Sequence, residues 1–299
     1  MNLCYHIAAP LYRRKHRHDV AIQRDVLLSP DAYWQWQFDS SEPYFSKFSD
    51  LCTQLKGKRV LDIGCGLGGR TSYLATIGAR EVVGIDINRA EIEQARRLAA
   101  QTLSPEAFSK IRFEAVQEGS FPHLEPFDIA LLVDSLEHVR DPVAMLNVAH
   151  SHLRPGGVCY FGTVGWYHYN AAHLMSILPV PFLTLFFSER LIIDAVRRIL
   201  DAPWYVPTMW DSDPPAARWE GVTDLRERPG EYLNKITIRG IRQAMRESRF
   251  GGGQLQVTGF SWKRYPYLRP LNVLTAIRGV QEAYHSGCFG RMIRRSEES

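Results

Sequence analysis

A chain of 299 residues with 45% apolar content buries a large core, and it exceeds the common size of one domain without requiring two. A net charge of +4 is too small to predict a nucleic-acid partner, and five widely spaced cysteines with no C-x-x-C pair argue against a disulfide framework or a zinc site. The N-terminus meets arginines before any apolar run of signal length and no stretch reaches the roughly 18 residues of a spanning helix, so a reduced, cytoplasmic enzyme is expected.

Residues 1–50 show mixed helical periodicity and are expected to form an N-terminal helical cap. The basic run Arg13-Arg14-Lys15-His16-Arg17-His18 predicts a solvated face rather than a binding patch. A dense aromatic cluster follows at Tyr33, Trp34, Trp36 and Phe38, then Tyr44, Phe45 and Phe48. These rings either close over a ligand or pack helices onto the core.

The next stretch, Arg59 to Thr71, organises the rest of the chain. The β-branched run Val60 to Ile63 predicts a buried parallel strand, which breaks into Gly64, Gly66 and Gly68 before a helix from about Arg70 to Ile77. Glycines at such a turn let backbone N–H groups approach a bound molecule, where a Cβ would intrude. Cys65, inside the turn, is expected to be a small packing residue. A second strand, Glu81 to Ile87, carries Asp86, whose carboxylate suits both hydroxyls of a ribose. A nucleoside cofactor follows from these features. Asp62, just before the turn, would repel a pyrophosphate but favours the cationic amino group and sulfonium of S-adenosylmethionine.

Val60-Leu61-Asp62-Ile63-Gly64-Cys65-Gly66-Leu67-Gly68 resembles the first motif of the class I S-adenosylmethionine-dependent methyltransferases. The resemblance continues in order through Asp86, Phe127 to Leu132, Asp134-Ser135-Leu136-Glu137-His138-Val139 and Leu153-Arg154-Pro155-Gly156-Gly157, covering about residues 40–163 and, more loosely, 230–299. It implies an α/β fold, a doubly wound, mostly parallel seven-stranded sheet of Rossmann-like type, with the N-terminal segment capping the cofactor and substrate cleft. It also implies cofactor contacts from Asp62, Gly64, Cys65, Gly66, Gly68, Asp86, Ile87, Gln117, Glu118 and Asp134. Many relatives place an aspartate where Gln117 stands, and a glutamine carbonyl can accept the same hydrogen bond from the adenine amino group.

Further along, Asn88 is expected to cap a helix to about Thr102. Strands are predicted at Ile111–Val116, Ile129–Val133 and Val158–Thr163, with a helix at Pro142–Leu153 between the last two. The core therefore spans 51–163. Residues 164–234 form an insertion, expected as a substrate lid, which opens with Trp166, Tyr167, His168, Tyr169 and His173. Its apolar stretch 174–187 is broken by Pro179 and Pro181, and three readings stay open: lid, core of the insertion, or membrane-surface contact. Asp213-Pro214-Pro215, in a predicted irregular loop, has the look of an amino-methyltransferase signature but falls in the wrong place, and is taken as chance. In residues 235–299 Thr237 is expected to cap a helix to about Ser248 and Leu255–Trp262 to form a strand, and the resemblance implies that this segment completes the sheet, with Cys288–Ile293 as the candidate for its antiparallel seventh strand.

His138, after the fourth strand where acceptors dock in this fold, is the candidate general base, since an unperturbed imidazole titrates near pH 6.5. The alternative is a capping or packing histidine. Asp134 is its candidate catalytic companion, and Tyr33, Trp36, Trp166, His168 and His173 are candidate substrate contacts. The segment also looks like the ubiquinone-biosynthesis O-methyltransferases, in which an acidic residue and Glu-His at this spacing are associated with a divalent metal. Asp134, Glu137 and His138 are thus a minority metal reading beside that of no metal. The expected function is methylation of a small or medium-sized molecule, at a hydroxyl oxygen, in biosynthetic or secondary metabolism, with S-adenosylhomocysteine as product. N- or C-methylation, a nicotinamide-dependent oxidoreductase and a non-catalytic scaffold are the alternatives. Acceptor identity and oligomeric state do not follow from the sequence.

Overall fold

The computed structural model describes residues 2–17, 29–117, 121, 124–170, 174–206, 233–261 and 266–296. Glu118, His173, Asp213-Pro214-Pro215, Trp262 and His18 lie outside the described residues.

The chain opens with α1 (Leu3–Arg17), α2 (Pro30–Asp39), α3 (Ser41–Phe45) and α4 (Leu51–Gln54), and then alternates strand and helix. The alternating part runs β1 (Arg59–Ile63), α5 (Gly69–Thr76), β2 (Glu81–Asp86), α6 (Arg89–Thr102), α7 (Pro105–Phe108), β3 (Ile111–Ala115), β4 (Phe127–Val133), α8 (Pro142–His152) and β5 (Leu153–Thr163). The insertion carries α9 (Leu183–Phe186) and α10 (Glu189–Leu200), and the chain ends with α11 (Ile238–Glu247), β6 (Gln254–Thr258) and β7 (Gly287–Ile293).

The seven strands form one sheet in the order β3-β2-β1-β4-β5-β7-β6. Neighbours among β1 to β5 pair in parallel, and β7 runs antiparallel to both β5 and β6. This is the expected doubly wound sheet. Its strand order reverses between β1 and β4, so their carboxyl ends diverge and open a crevice there. Alternate residues fill the two faces. Leu61, Ile63, Val83, Ile85, Ala130 and Leu132 pack on one side with Leu146 of α8 and Ile241 and Met245 of α11. Val60, Val82, Ile129 and Leu131 pack on the other with Phe45, Leu51 and Leu74.

Local signals behave as their chemistry requires. The Asn88 side chain accepts from the Ala90 and Glu91 amides at the start of α6, Asp141 caps α8 and Thr237 caps α11. Several boundaries differ from expectation, two of them by four residues or more. β5 starts at Leu153 rather than Val158, because Gly156 N–H donates to Arg294 O and Arg294 N–H to Gly157 O, which draws the Pro155-Gly156-Gly157 turn into the sheet. β6 ends at Thr258, because Asn272 takes the Phe260 backbone at both its N–H and its C=O.

The N-terminal segment is divided between two cores. Cys4, Ala8 and Tyr12 of α1 pack with Ile192, Val196 and Ile199 of α10, whereas α2 to α4 lie against the sheet and its helices. Asn2 fixes this pairing through hydrogen bonds to Leu191 O and the Asp194 carboxylate. In the 174–187 stretch, Leu174, Ile177, Leu178 and Leu183 are buried in the same cluster, while Leu185 and Phe186 stay exposed. Among the described residues no helix is long and apolar enough to cross a membrane.

Candidate active site

The crevice beyond β1, β2 and β4 is lined by the glycine turn. Gly64, Gly66 and Gly68 take φ of 76°, 53° and 75°, a region that disfavours side chains. The Gly64 and Cys65 amides donate to Ile85 O at 2.8 and 3.1 Å, which fixes the turn to β2. Gly66 N–H then donates to Asp86 Oδ2 at 2.9 Å, and Asn88 N–H to Asp86 Oδ1 at 2.9 Å. Each carboxylate oxygen of Asp86 therefore has one backbone donor and further lone pairs for hydroxyls. Ile87, beside it, is 65% exposed and forms an open apolar edge. Gln117 lies exposed just beyond β3, where the neighbouring Val116 N–H donates to Asp86 O. Cys65 is buried, and burial, reinforced by Asp62, Asp86 and Glu91, pushes its thiol up and keeps it protonated.

Asp62 points elsewhere. Only 3% exposed, it accepts from the Thr71 hydroxyl at 2.6 Å and so ties β1 to α5. Burial raises its carboxyl to about 6 against the opposing pull of Thr71 and Arg70.

Asp134, the first residue after β4, holds a positive φ of 50°, a strained conformation for a side-chain-bearing residue. Its N–H is bonded to Gly162 O of β5, and its carboxylate accepts from the Tyr44 hydroxyl at 3.1 Å and pairs with Arg70 at 3.5 Å. The Arg70 guanidinium lies over the rings of Tyr44 and Trp36, at 4.5 and 5.7 Å from their centroids. The Tyr33 and Trp36 rings meet at a tilt of 31° with centroids 5.5 Å apart, so these two predicted substrate contacts stand beside the same cluster. Burial first, then Asp134, raises the Tyr44 hydroxyl well above the ordinary tyrosine range. Sequence reading missed Arg70 and Tyr44 in this role. The available signal was an arginine beginning a short helix whose other residues turn inward.

Beyond Asp134 the chain makes a tight 3-10 turn, Leu136–His138. The two carboxylates of this stretch face different partners. Glu137 is 2% exposed and accepts from the Thr163 hydroxyl at 2.6 Å, Asp134 turns to Arg70, and His138 is half-buried on the turn. Among the described residues no group of three His, Cys, Asp or Glu side chains could hold a metal ion, so the minority metal reading has no ligand set here. Asn234, also missed, holds this turn by donating to Leu136 O and Val139 O at 2.8 Å, while its own N–H donates to Glu137 O. Trp166 and His168 are not brought to the crevice. Trp166 belongs to the buried core of the insertion, and His168 is buried against Tyr169 and His285.

Residues 33–247 match the sequence model of a family described as a methyltransferase domain. The chain belongs to this family, in its class I, S-adenosylmethionine-dependent form. This methyltransferase domain is similar to the ubiquinone biosynthesis O-methyltransferase of Neisseria meningitidis serogroup A, with 35% identity over 134 residues, 44% of this chain and 53% of that relative. It is also similar to the enzyme of the same name from Actinobacillus pleuropneumoniae serotype 5b, with 37% identity over 111 residues, 37% of this chain and 47% of that relative. The domain-bearing chain thus spans about half the length of the curated relatives it matches. Among solved structures it is similar to the magnesium protoporphyrin IX methyltransferase of Synechocystis PCC 6803, with 14% identity, 98% of this chain and 97% of that chain covered, and a TM-score of 0.48.

The residues present fit S-adenosylmethionine. A Cβ at Gly64 or Gly66 would meet Ser135 at 2.8 Å or Glu91 at 3.0 Å, so the turn takes this close path only with glycine, and Asp86 beside it keeps acceptor capacity for a ribose.

Proposed function

We propose that this chain transfers a methyl group to a hydroxyl oxygen of a small or medium-sized acceptor. When bound, S-adenosylmethionine supplies an electrophilic methyl carbon on a sulfonium. The observation that carries the reading is Asp86, fixed by two backbone donors at the tip of β2 with acceptor capacity left for a ribose diol. Asp134, partly exposed beyond β4, places further negative charge on the same rim, which suits a cationic sulfonium and opposes a pyrophosphate. A nicotinamide-dependent oxidoreductase is disfavoured on that ground.

In this reading Asp86 and the glycine turn bind, while Tyr33 and Trp36 wall the acceptor side. His138 takes the hydroxyl proton as the new C–O bond forms and the S–C bond breaks, with the sulfur keeping the electron pair. Alignment of the acceptor supplies most of the catalysis, because the leaving group is already excellent. The preference for oxygen over nitrogen or carbon draws support from Leu136-Glu137-His138-Val139 and from the similarity to ubiquinone biosynthesis O-methyltransferases. We assign 51–163 with 235–299 to the cofactor-binding core and the 164–234 insertion to covering the acceptor.

Calorimetric titration with S-adenosylhomocysteine is the test, alongside NADH for comparison. Binding of the first and not the second is expected. No heat with S-adenosylhomocysteine at millimolar concentration would overturn the proposal.

A further inference from the structure

Arg70 is a buried cation with an unused donor. It stands on the first turn of α5, two residues past Gly68, and its side chain is 11% exposed. Its Nε is buried and has no hydrogen-bond partner. Its ion pair with Asp134, at 3.5 Å, is longer than the roughly 2.7–2.9 Å of a charge-assisted hydrogen bond. Burying a guanidinium is costly unless an anion and hydrogen bonds compensate it, and here the compensation is incomplete. The guanidinium is nevertheless held in place by the Tyr44 and Trp36 rings, over which it lies at 4.5 and 5.7 Å from the centroids. A held, desolvated fork with a spare N–H group is the arrangement that a carboxylate binds in bidentate fashion.

We propose that Arg70 receives the α-carboxylate at the amino-acid end of S-adenosylmethionine, an inference that rests on the methyl-donor reading above. Two features favour this source over a carboxylate on the acceptor. Arg70 follows directly from the glycine turn, on the cofactor's side of the crevice. Asp134 lies beside it, partly exposed and braced by Tyr44, so that the pair offers a positive and a negative group to a molecule whose end carries both a carboxylate and an ammonium. Arg70 is thereby a specificity-determining residue that separates the intact donor from nucleosides lacking the carboxylate.

The test is calorimetry on the full chain with three probes: S-adenosylhomocysteine, its decarboxylated analogue S-(5′-deoxyadenosyl)-3-thiopropylamine, and 5′-methylthioadenosine. The parent should bind S-adenosylhomocysteine roughly 10- to 100-fold more tightly than the decarboxylated analogue, the range expected for hydrogen bonds to a charged group. In Arg70→Met the two dissociation constants should converge, while that of 5′-methylthioadenosine stays unchanged and reports an intact ribose site. Arg70→Lys, which keeps the charge but not the fork, should recover part of the preference and serves where Arg70→Met does not fold. A parent without preference for the carboxylate, or an Arg70→Met protein that keeps it, overturns the proposal, and the first of these outcomes would return the carboxylate to the acceptor. Failure of both S-adenosylhomocysteine and 5′-methylthioadenosine to bind the parent would instead defeat the methyl-donor reading and this inference with it.

Discussion

The Thr163 hydroxyl donates a 2.6 Å hydrogen bond to the Glu137 carboxylate, joining the end of β5 to the turn after β4. Both residues are about 2% exposed, so the bond is made where water cannot replace it. Thr163→Val keeps the shape and removes the donor, and should cost about 1 to 3 kcal/mol in urea denaturation. Thr163→Ser should recover most of that. A Thr163→Val protein as stable as the parent would show that other partners satisfy Glu137.

The strands β1 and β2 were legible because each carries β-branched residues in an apolar run bounded by a glycine turn or a cap, and such signals act over a few residues. The terminal β7, Gly287–Ile293, has no such run and was expected from the family resemblance. The Tyr44–Asp134 contact was not legible, since the partners are 90 positions apart and neither belongs to a periodic pattern that names the other. The pairing of α1 with α10 was hidden for the same reason, as Asn2 and Asp194 are 192 positions apart. The Glu-His pair was visible as a motif, but a motif carries no direction. Only the fold sends Glu137 inward to Thr163 and leaves His138 on the turn.

Asp62 should trade stability for charge. Its carboxyl rises from 3.8 to about 6 on folding, chiefly through burial. Between those values the unfolded chain has released a proton that the folded chain retains, so stability falls as pH rises through the window and is lower by about 2 to 3 kcal/mol at neutral pH. Asp62→Asn keeps an oxygen for the Thr71 hydroxyl and removes the charge. It should be more stable than the parent at pH 7 by about 1 to 3 kcal/mol, with the advantage vanishing below about pH 4. Denaturation from pH 3.5 to 8 checks the sign. A variant less stable than the parent at neutral pH would mean that the carboxylate stabilises the fold.

Asp86 joins two functions that substitution can separate. Asp86→Ala should weaken S-adenosylhomocysteine binding by roughly 1.5 to 3 kcal/mol through loss of charge-assisted ribose bonds. It also removes the acceptor for Gly66 and Asn88, so a modest loss of melting temperature should accompany it. Asp86→Asn retains acceptor oxygen for one of these amides and should fall between the two proteins in both measurements. An unchanged dissociation constant in Asp86→Ala would refute the ribose assignment.

His138 decides how the acceptor loses its proton. If it is the general base, His138→Ala should lower the turnover rate by about 10² to 10⁴ with S-adenosylmethionine affinity nearly intact. The parent rate should rise with pH through one ionisation that the variant lacks. The half-buried place of His138 on the Leu136–His138 turn gives it a second way to matter, as packing beside a segment that Asn234 already holds. In that case the substitution should cost about 0.5 to 2 kcal/mol of stability, with little loss of rate at low temperature. Chelation gives a further arm. Activity lost with a chelator and regained with a divalent ion would make His138 a ligand, against the separate engagement of Asp134 with Arg70 and Glu137 with Thr163. Thermal denaturation and single-turnover kinetics on one preparation separate these outcomes, because only the base role lowers the chemical step while leaving both the melting temperature and the dissociation constant in place.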